Sequence, residues 1–181
     1  MKCVLVTGFQ PFGGETVNPS LEAVKLLNGL VIDGYEVVIG EIPVVRFEAT
    51  KTIVELIEQY QPEIVINVGQ AGGRQEVSVE RVGINVDDYR LADNAGNAPV
   101  DEAIAADGPA AYFATLPIKA MVKAMVAEGV PASVSNTAGT YLCNHVAYAV
   151  PHYIAAHRLP IRSCFIHIPF LPEQAAGKPG R

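Results

Sequence analysis

The chain has no tryptophan, only three cysteines and only 13 lysines and arginines among its 181 residues. Three cysteines with wide, irregular spacing fit neither a disulfide framework nor the paired ligands of a zinc site. The basic residues form no run and the net charge is −6, which argues against nucleic acid and anionic membranes as partners. No segment has the length of a membrane span, and the N-terminus lacks the apolar stretch of a secretion signal. We therefore expect a cytoplasmic protein.

What is present is a globular composition. Half of the residues are hydrophobic and 18% are charged, a balance that argues against disorder. A chain of 181 residues is long for one small core and short for two. No linker, repeat or low-complexity segment divides it, so we predict that residues 1–181 form a single domain.

Apolar runs alternate with amphipathic stretches along the chain. Strands are predicted at 2–7, 35–42, 63–69, 132–134 and 161–170, and helices at 19–27, 47–60, 117–128 and from 142 onward. This strand–helix–strand rhythm indicates right-handed crossovers. The predicted fold is α/β, a three-layer α/β/α sandwich with a mixed, mainly parallel, twisted sheet. The tail from Glu173 to Arg181 is polar and is predicted to be loose.

One predicted strand, from Glu76 to Asp88, changes the phase of its apolar residues between Val79 and Val82. A bulge there would redirect the side chains, and Glu80 lies inside it. A carboxylate within an apolar strand needs a partner if it is buried, whereas a solvated edge position would need none. Both interpretations of Glu80 remain open at this stage.

The stretch from Ser135 to His145 is the most informative in the chain. An apolar run leads into small turn residues and then into apolar residues at helical spacing, which places Cys143 in the first turn of a helix. Backbone N–H groups and the helix dipole favour a thiolate at that position, and the same amides can hold an oxyanion. Cys143 is therefore a candidate nucleophile, although a single cysteine is more often a packing residue, as we expect for Cys3 and Cys164.

In open α/β sheets, ligands gather at the carboxyl ends of the strands. Cys143 follows one predicted strand, and His167 lies near the end of another. We therefore expect a thiol, an imidazole and the Glu80 carboxylate around one crevice. His167 would take the thiol proton while Glu80 holds its tautomer. His145 competes as the base, although two residues along a helix it points to a different side.

Two loops add candidate binding residues. The Gly-rich loop after the first strand carries Phe9 and Phe12. These two rings would either form an apolar wall for a ligand or only pack the loop against the core. This loop lacks the glycine order of a dinucleotide fingerprint and the lysine of a P-loop. The polar segment from Tyr89 to Val100 has no periodicity, and Arg90 and Asp93 are its candidate functional residues.

Five motifs, in this order along nearly the whole chain, resemble those of the pyrrolidone carboxyl peptidases, also called pyroglutamyl-peptidase I. They are Thr7-Gly8-Phe9-Gln10-Pro11-Phe12-Gly13-Gly14 with Asn18-Pro19-Ser20, Val79-Glu80-Arg81-Val82-Gly83-Ile84-Asn85, Asp93-Asn94-Ala95-Gly96, Ser135-Asn136-Thr137-Ala138-Gly139-Thr140-Tyr141-Leu142-Cys143-Asn144 and His167-Ile168-Pro169-Phe170-Leu171-Pro172. Several long motifs in the right order make a chance match implausible.

The resemblance implies a cysteine exopeptidase that removes an N-terminal pyroglutamyl residue from peptides. It implies Cys143 as nucleophile, His167 as base and Glu80 as orienting acid, with no cofactor and no metal. It further implies a lactam pocket formed by Phe9, Phe12, Gln70, Tyr141 and Leu142. Arg90 and the Cys143 backbone N–H would serve near the oxyanion. A homo-oligomer, often a tetramer, is also implied.

The sequence departs from the family pattern at two places. Members commonly have Phe-Val before the cysteine, where this chain has Tyr141-Leu142, so a different pocket shape is expected. Members also usually continue into a closing helix, whereas this sequence stops at Arg181, so an uncovered apolar seat is expected. Two rival functions remain: a lactam-binding module without catalysis, and a phosphorylase-like enzyme that uses the Gly-rich loops.

Overall fold

A computed structural model describes residues 2–176, with nine strands and five helices in that range. The strands are β1 (Lys2–Phe9), β2 (Val31–Ile32), β3 (Tyr35–Ile42), β4 (Ile64–Gln70), β5 (Val77–Glu80), β6 (Val82–Ile84), β7 (Ala111–Phe113), β8 (Ala132–Ser135) and β9 (Arg162–Ile168). The helices are α1 (Pro19–Lys25), α2 (Glu48–Tyr60), α3 (Ile118–Ala127), α4 (Leu142–Ala156) and α5 (Pro172–Ala176).

Seven of the strands form one sheet in the order β2-β3-β1-β4-β9-β5-β8. Strands β3, β1, β4 and β9 are parallel, β2 is antiparallel to β3, and β5 is antiparallel to β9. β8 is parallel to β5. The sheet is thus mixed and mainly parallel, as the sequence predicts.

The two faces of the sheet carry different helices, which gives the three layers of an α/β/α sandwich. On one face, α2 and α4 pack against β1, β4 and β9 through a core that includes Leu5, Ile53, Val65, Val146 and Phe165. On the other face, α1 covers β1 and β3, while α3 lies beside β5 and β8. Successive side chains of a strand point to opposite faces, so neighbours such as Leu5 and Val6 belong to different cores.

Local signals explain where the helices begin. The Asn18 side chain accepts a hydrogen bond from the Ser20 N–H, and Pro19 occupies the first helical position. α2 begins at Glu48 because the residue before it, Phe47, has a positive φ of 63°, which lies outside the range of an α-helix. The described part of the chain contains no helix long and apolar enough to cross a membrane.

The prediction of one bulged strand from Glu76 to Asp88 is wrong. β5 ends at Glu80, and the chain leaves the main sheet to form β6, which pairs with β7 in a separate two-stranded sheet. The phase change in the apolar pattern marks this exchange of sheets, because β6 packs against helix α4 through Gly83 and no longer belongs to the main sheet.

The predicted loose tail is also partly wrong, because Pro172–Ala176 forms the short helix α5. The rest of that tail, and any closing helix after it, lies outside the described residues.

Gly83 of β6 allows the close approach of α4. A Cβ atom added there would lie 2.5 Å from the Ala147 carbonyl carbon and oxygen, which are backbone atoms and cannot rotate away. We expect Gly83→Ala to lower the free energy of unfolding by roughly 1–3 kcal/mol in chemical denaturation. Gly40→Ala is the matched control, because its Cβ would meet side-chain atoms and no backbone: the flexible end of Leu56 and, at 3.3 Å, Thr7 Cγ2. Equal losses in both variants would contradict this account.

Candidate active site

Adjacent strands bring the predicted imidazole and carboxylate together. β5 pairs with β9 so that Ser78 lies opposite His167, and Glu80 lies opposite Phe165. His167 Nδ1 is 2.7 Å from Glu80 Oε1, and the two side chains are 4% and 1% exposed. Glu80 is therefore a buried, partnered carboxylate, and the interpretation of it as a solvated edge residue is wrong.

The partners of Glu80 determine its charge. Burial alone would raise the pKa of Glu80, yet hydrogen bonds from His167, Ser135 and Arg74 hold that pKa below its usual value. Burial also lowers the pKa of His167, and the Arg74 cation lowers it further, while Glu80 acts in the opposite direction. The pair at neutral pH is thus a carboxylate beside a neutral imidazole.

Cys143 is the second residue of α4, as the sequence predicts. Tyr141 precedes the helix without a side-chain cap, so the first backbone N–H groups of α4 donate no hydrogen bond to its side chain. The neighbouring Asn144 is 1% exposed and anchors the helix to β6. Its side chain accepts from the Ile84 N–H at 3.0 Å and donates to the Ile84 and Val86 carbonyls, each at 2.9 Å.

The route by which Cys143 reaches the crevice differs from the prediction. β8 is parallel to β5, and β5 is antiparallel to β9, so β8 ends pointing away from the edge at which β9 ends. Residues 136–141 turn the chain back to that edge. There, an added Cβ on Gly69 would lie 2.9 Å from Cys143 Sγ, and Gly69 pairs with His167 in the sheet. Only glycine fits beneath the thiol.

The ionisation of Cys143 corrects the expectation of a thiolate. Burial raises the pKa of the Cys143 thiol to about 12, and the Glu80 charge raises it as well, while Arg74 opposes this. Desolvation of the sulfur outweighs the favourable helix position. The free energy by which burial destabilises a thiolate exceeds the free energy by which a helix N-terminus stabilises it. The resting sulfur is therefore a neutral thiol.

A cavity of about 760 Å³ opens at this edge of the sheet. Every residue that the sequence assigns to the pocket, to the oxyanion, or to the roles of nucleophile and base lines it: Phe9, Phe12, Gln70, Arg90, Tyr141, Leu142, Cys143 and His167. Phe12 and Tyr141 form part of one wall, with ring centroids 6.1 Å apart. Glu80 lies behind His167 and does not line this cavity.

Two residues that the sequence analysis names as candidates, Asp93 and His145, do not line the cavity and instead stabilise the fold. Asp93 closes its own loop by accepting hydrogen bonds from the backbone N–H groups of Arg46, Ala95 and Asn97. His145, the rival base, is fully buried, and its Nδ1 lies 2.8 Å from Asp87 Oδ2. It does not line the cavity that contains Cys143.

Arg74 is the residue that the sequence analysis missed. It lines the cavity and binds Glu80 at 2.6 Å. The sequence signal that could have identified Arg74 is its position in a Gly-rich turn, six residues before Glu80. Between residues 2 and 176, no group of three or more histidine, cysteine, aspartate or glutamate side chains is arranged to hold a metal ion.

A thiol at a helix N-terminus and an imidazole that line one cavity, with a buried carboxylate behind the imidazole, are the arrangement of a cysteine hydrolase. Comparison with known proteins narrows this class. The family model described as pyroglutamyl peptidase matches residues 2–181. The chain therefore belongs to the pyroglutamyl peptidase family, a family of cysteine peptidases.

Individual relatives agree with the family match. The chain is 59% identical to the pyrrolidone-carboxylate peptidase of Cupriavidus taiwanensis, over 100% of this chain and 84% of that protein. It is 56% identical to the one from Vibrio campbellii, over 97% of this chain and 82% of that protein. The crystal structure of Bacillus amyloliquefaciens pyroglutamyl peptidase I superposes with a TM-score of 0.96 at 50% identity, covering 98% of this chain and 86% of that one.

The raised pKa of Cys143 predicts an unusual pH dependence for its reactivity. The rate of alkylation by iodoacetamide at Cys143, followed by peptide mass spectrometry, should rise about tenfold per pH unit from pH 7 to 9, because the thiolate fraction is still growing. Glutathione, an exposed thiol, is the control and levels off above about pH 8.5. A plateau for Cys143 near neutrality would contradict the neutral-thiol assignment.

Proposed function

We propose that this protein is a cysteine exopeptidase that hydrolyses the N-terminal pyroglutamyl (5-oxoproline) residue from peptides. The observation that carries the proposal is the 2.7 Å contact between His167 Nδ1 and Glu80 Oε1 beside the cavity that Cys143 lines. With Nδ1 engaged by the carboxylate, Nε2 is the ring nitrogen that remains to accept a proton. The family membership supports the same activity.

The first half of the reaction forms an acyl-enzyme. His167 Nε2 removes the proton of Cys143 as Sγ attacks the carbonyl carbon that joins the pyroglutamyl residue to the peptide. The tetrahedral intermediate collapses, its carbon–nitrogen bond breaks, and the imidazolium gives its proton to the leaving amine. A neutral thiol and a neutral imidazole suit this sequence, because the proton moves only when the nucleophile attacks.

The second half of the reaction regenerates the enzyme. His167 removes a proton from water, and the resulting hydroxide attacks the thioester carbon. The carbon–sulfur bond breaks, and the sulfur recovers its proton from His167, releasing 5-oxoproline. Throughout, Glu80 keeps its negative charge, fixes the imidazole tautomer and stabilises the positive charge that His167 gains.

The cavity supplies recognition in this proposal. The pyroglutamyl ring is flat, uncharged and has no free amine, so an apolar slot with a few amide partners suits it and a carboxylate would not. Phe9, Phe12, Tyr141 and Leu142 would form that slot. Gln70, at the end of β4, would hydrogen-bond the lactam amide.

The oxyanion would be held by the amides at the start of α4. The Cys143 backbone N–H lies at the uncapped end of that helix, where partial positive charge is greatest. Arg90 lies on the long loop between β6 and β7 and lines the cavity, so its guanidinium would add positive charge near the same oxygen.

Three further statements remain predictions from the sequence and the family resemblance. We propose that residues 1–181 act as one catalytic domain, that the protein assembles as a homo-oligomer such as a tetramer, and that it functions in the cytoplasm. Size-exclusion chromatography with light scattering tests the second of these directly.

The decisive assay is release of a fluorescent amine from a pyroglutamyl-amide substrate. We expect turnover by the wild type, and a loss of roughly a thousandfold or more in Cys143→Ala and His167→Ala, because both residues take part in bond making. A prolyl-amide substrate is the matched control, since it keeps the ring but has a charged amine in place of the lactam amide.

The outcomes separate the rival functions. A folded wild type that binds 5-oxoproline without turnover would indicate the binding module. Turnover that needs inorganic phosphate and survives Cys143→Ser would indicate the phosphorylase-like enzyme. Equal turnover of the pyroglutamyl and prolyl substrates would contradict the lactam pocket.

The pH profile tests the assignment of the base. Because burial lowers the pKa of His167, its neutral form persists to lower pH, and the acid midpoint of kcat/KM should lie below the pKa of free histidine. Glu80→Gln removes the charge that raises this pKa, so its acid midpoint should move to lower pH still. An acid midpoint above that of free histidine would contradict the assignment.

A further inference from the structure

Arg74 lies in the turn between β4 and β5, with 28% of its side chain exposed, and its guanidinium group makes two different contacts. Nη1 donates to Glu80 Oε1 at 2.6 Å. Nη2 donates to the Thr137 carbonyl oxygen at 2.9 Å. The planar fork of one side chain thus joins a buried carboxylate to the backbone of a separate segment.

Both ends of this connection belong to the site. Glu80 Oε1 is the same oxygen that binds His167 Nδ1 at 2.7 Å. Thr137 lies in the segment 136–141, which turns the chain back from β8 and ends at the helix that begins with Leu142 and Cys143. Arg74 therefore connects the acid–base pair to the segment that delivers the nucleophile.

The geometry points to Arg74 as a positioning residue for the proposed hydrolysis, holding Glu80 and the segment before Cys143 in one fixed arrangement through its two guanidinium hydrogen bonds. This inference rests on the proposed function. Arg74 acts through Glu80 and Thr137. A displacement of about 1 Å between nucleophile and base lowers a rate by up to about a hundredfold, so such a connection has a measurable effect.

The charge of Arg74 contributes in addition to its geometry. The charged groups that act on His167 are Glu80 from β5 and Arg74 from the turn after β4. The same two groups act on Cys143 from α4, which lines the cavity together with His167. The Arg74 cation lowers the pKa of His167 and of Cys143, and its hydrogen bond helps to lower the pKa of Glu80. Removing the cation should therefore raise the pKa values of His167, Cys143 and Glu80.

Three substitutions separate geometry from charge. Arg74→Met removes both the positive charge and the two guanidinium hydrogen bonds. Arg74→Lys keeps the charge, but a single ammonium on a flexible stem does not reproduce the planar fork. Arg81→Gln is the matched control, because Arg81 Nε binds Asn136 Oδ1 at 2.8 Å and so holds the same segment without Glu80.

The experiment measures kcat and KM for the pyroglutamyl-amide substrate across pH, together with the alkylation rate of Cys143. For Arg74→Met we expect kcat to fall by roughly ten- to a hundredfold with little change in KM, the acid midpoint to move to higher pH, and alkylation to slow. Arg74→Lys should lower kcat while keeping the wild-type acid midpoint. Arg81→Gln should also keep that midpoint.

Other results would overturn the inference. Wild-type kcat and an unchanged acid midpoint in Arg74→Met would show that Arg74 contributes only to stability, which thermal unfolding would report separately. If Arg74→Met does not fold, Arg74→Lys decides the question, and a wild-type kcat in that variant overturns the inference. If the wild type itself does not turn over the substrate, the proposed function fails, while unchanged alkylation in the Arg74 variants would still refute the effect on Cys143.

Discussion

The buried charge of Glu80 is the constraint on which the site depends. A carboxylate at 1% exposure is stable only where hydrogen-bond donors replace the lost water, and here two donors, from His167 and Arg74, converge on its Oε1 atom. Through these two bonds Glu80 joins β5 to β9 and to the turn after β4, and Arg74 extends the connection through Thr137 to the segment before α4. One desolvated ion thus organises four parts of the chain.

The surroundings of Cys143 balance two opposing effects. The N-terminus of α4 favours a negative sulfur, but Cys143 is partly buried against the core that includes Phe165, and this burial and the Glu80 charge both raise the pKa of its thiol. Burial prevails, so one cavity contains a neutral thiol and a neutral imidazole.

A second cluster in the protein shows why a histidine–carboxylate contact does not by itself identify a catalytic site. His145 binds buried Asp87, and Arg46 Nε binds the same carboxylate at 2.8 Å, which repeats the relation of His167, Glu80 and Arg74. The His145 cluster lies outside the cavity that contains Cys143 and His167, and it connects the loop after β6 to the start of α2. Location relative to the cavity distinguishes the two clusters.

The amino-acid sequence by itself determined the layers of the fold, the single-domain prediction and the residue types of the site, because apolar periodicity, turn residues and the order of the motifs are local properties of the chain. Only the tertiary structure decided the reversed direction of β5 and β8, the exchange of sheets after Glu80, the two contacts of Arg74 and the protonated state of Cys143. Each of these depends on which distant segments become neighbours and on how far water is excluded, and neither strand direction nor desolvation is encoded in any local pattern.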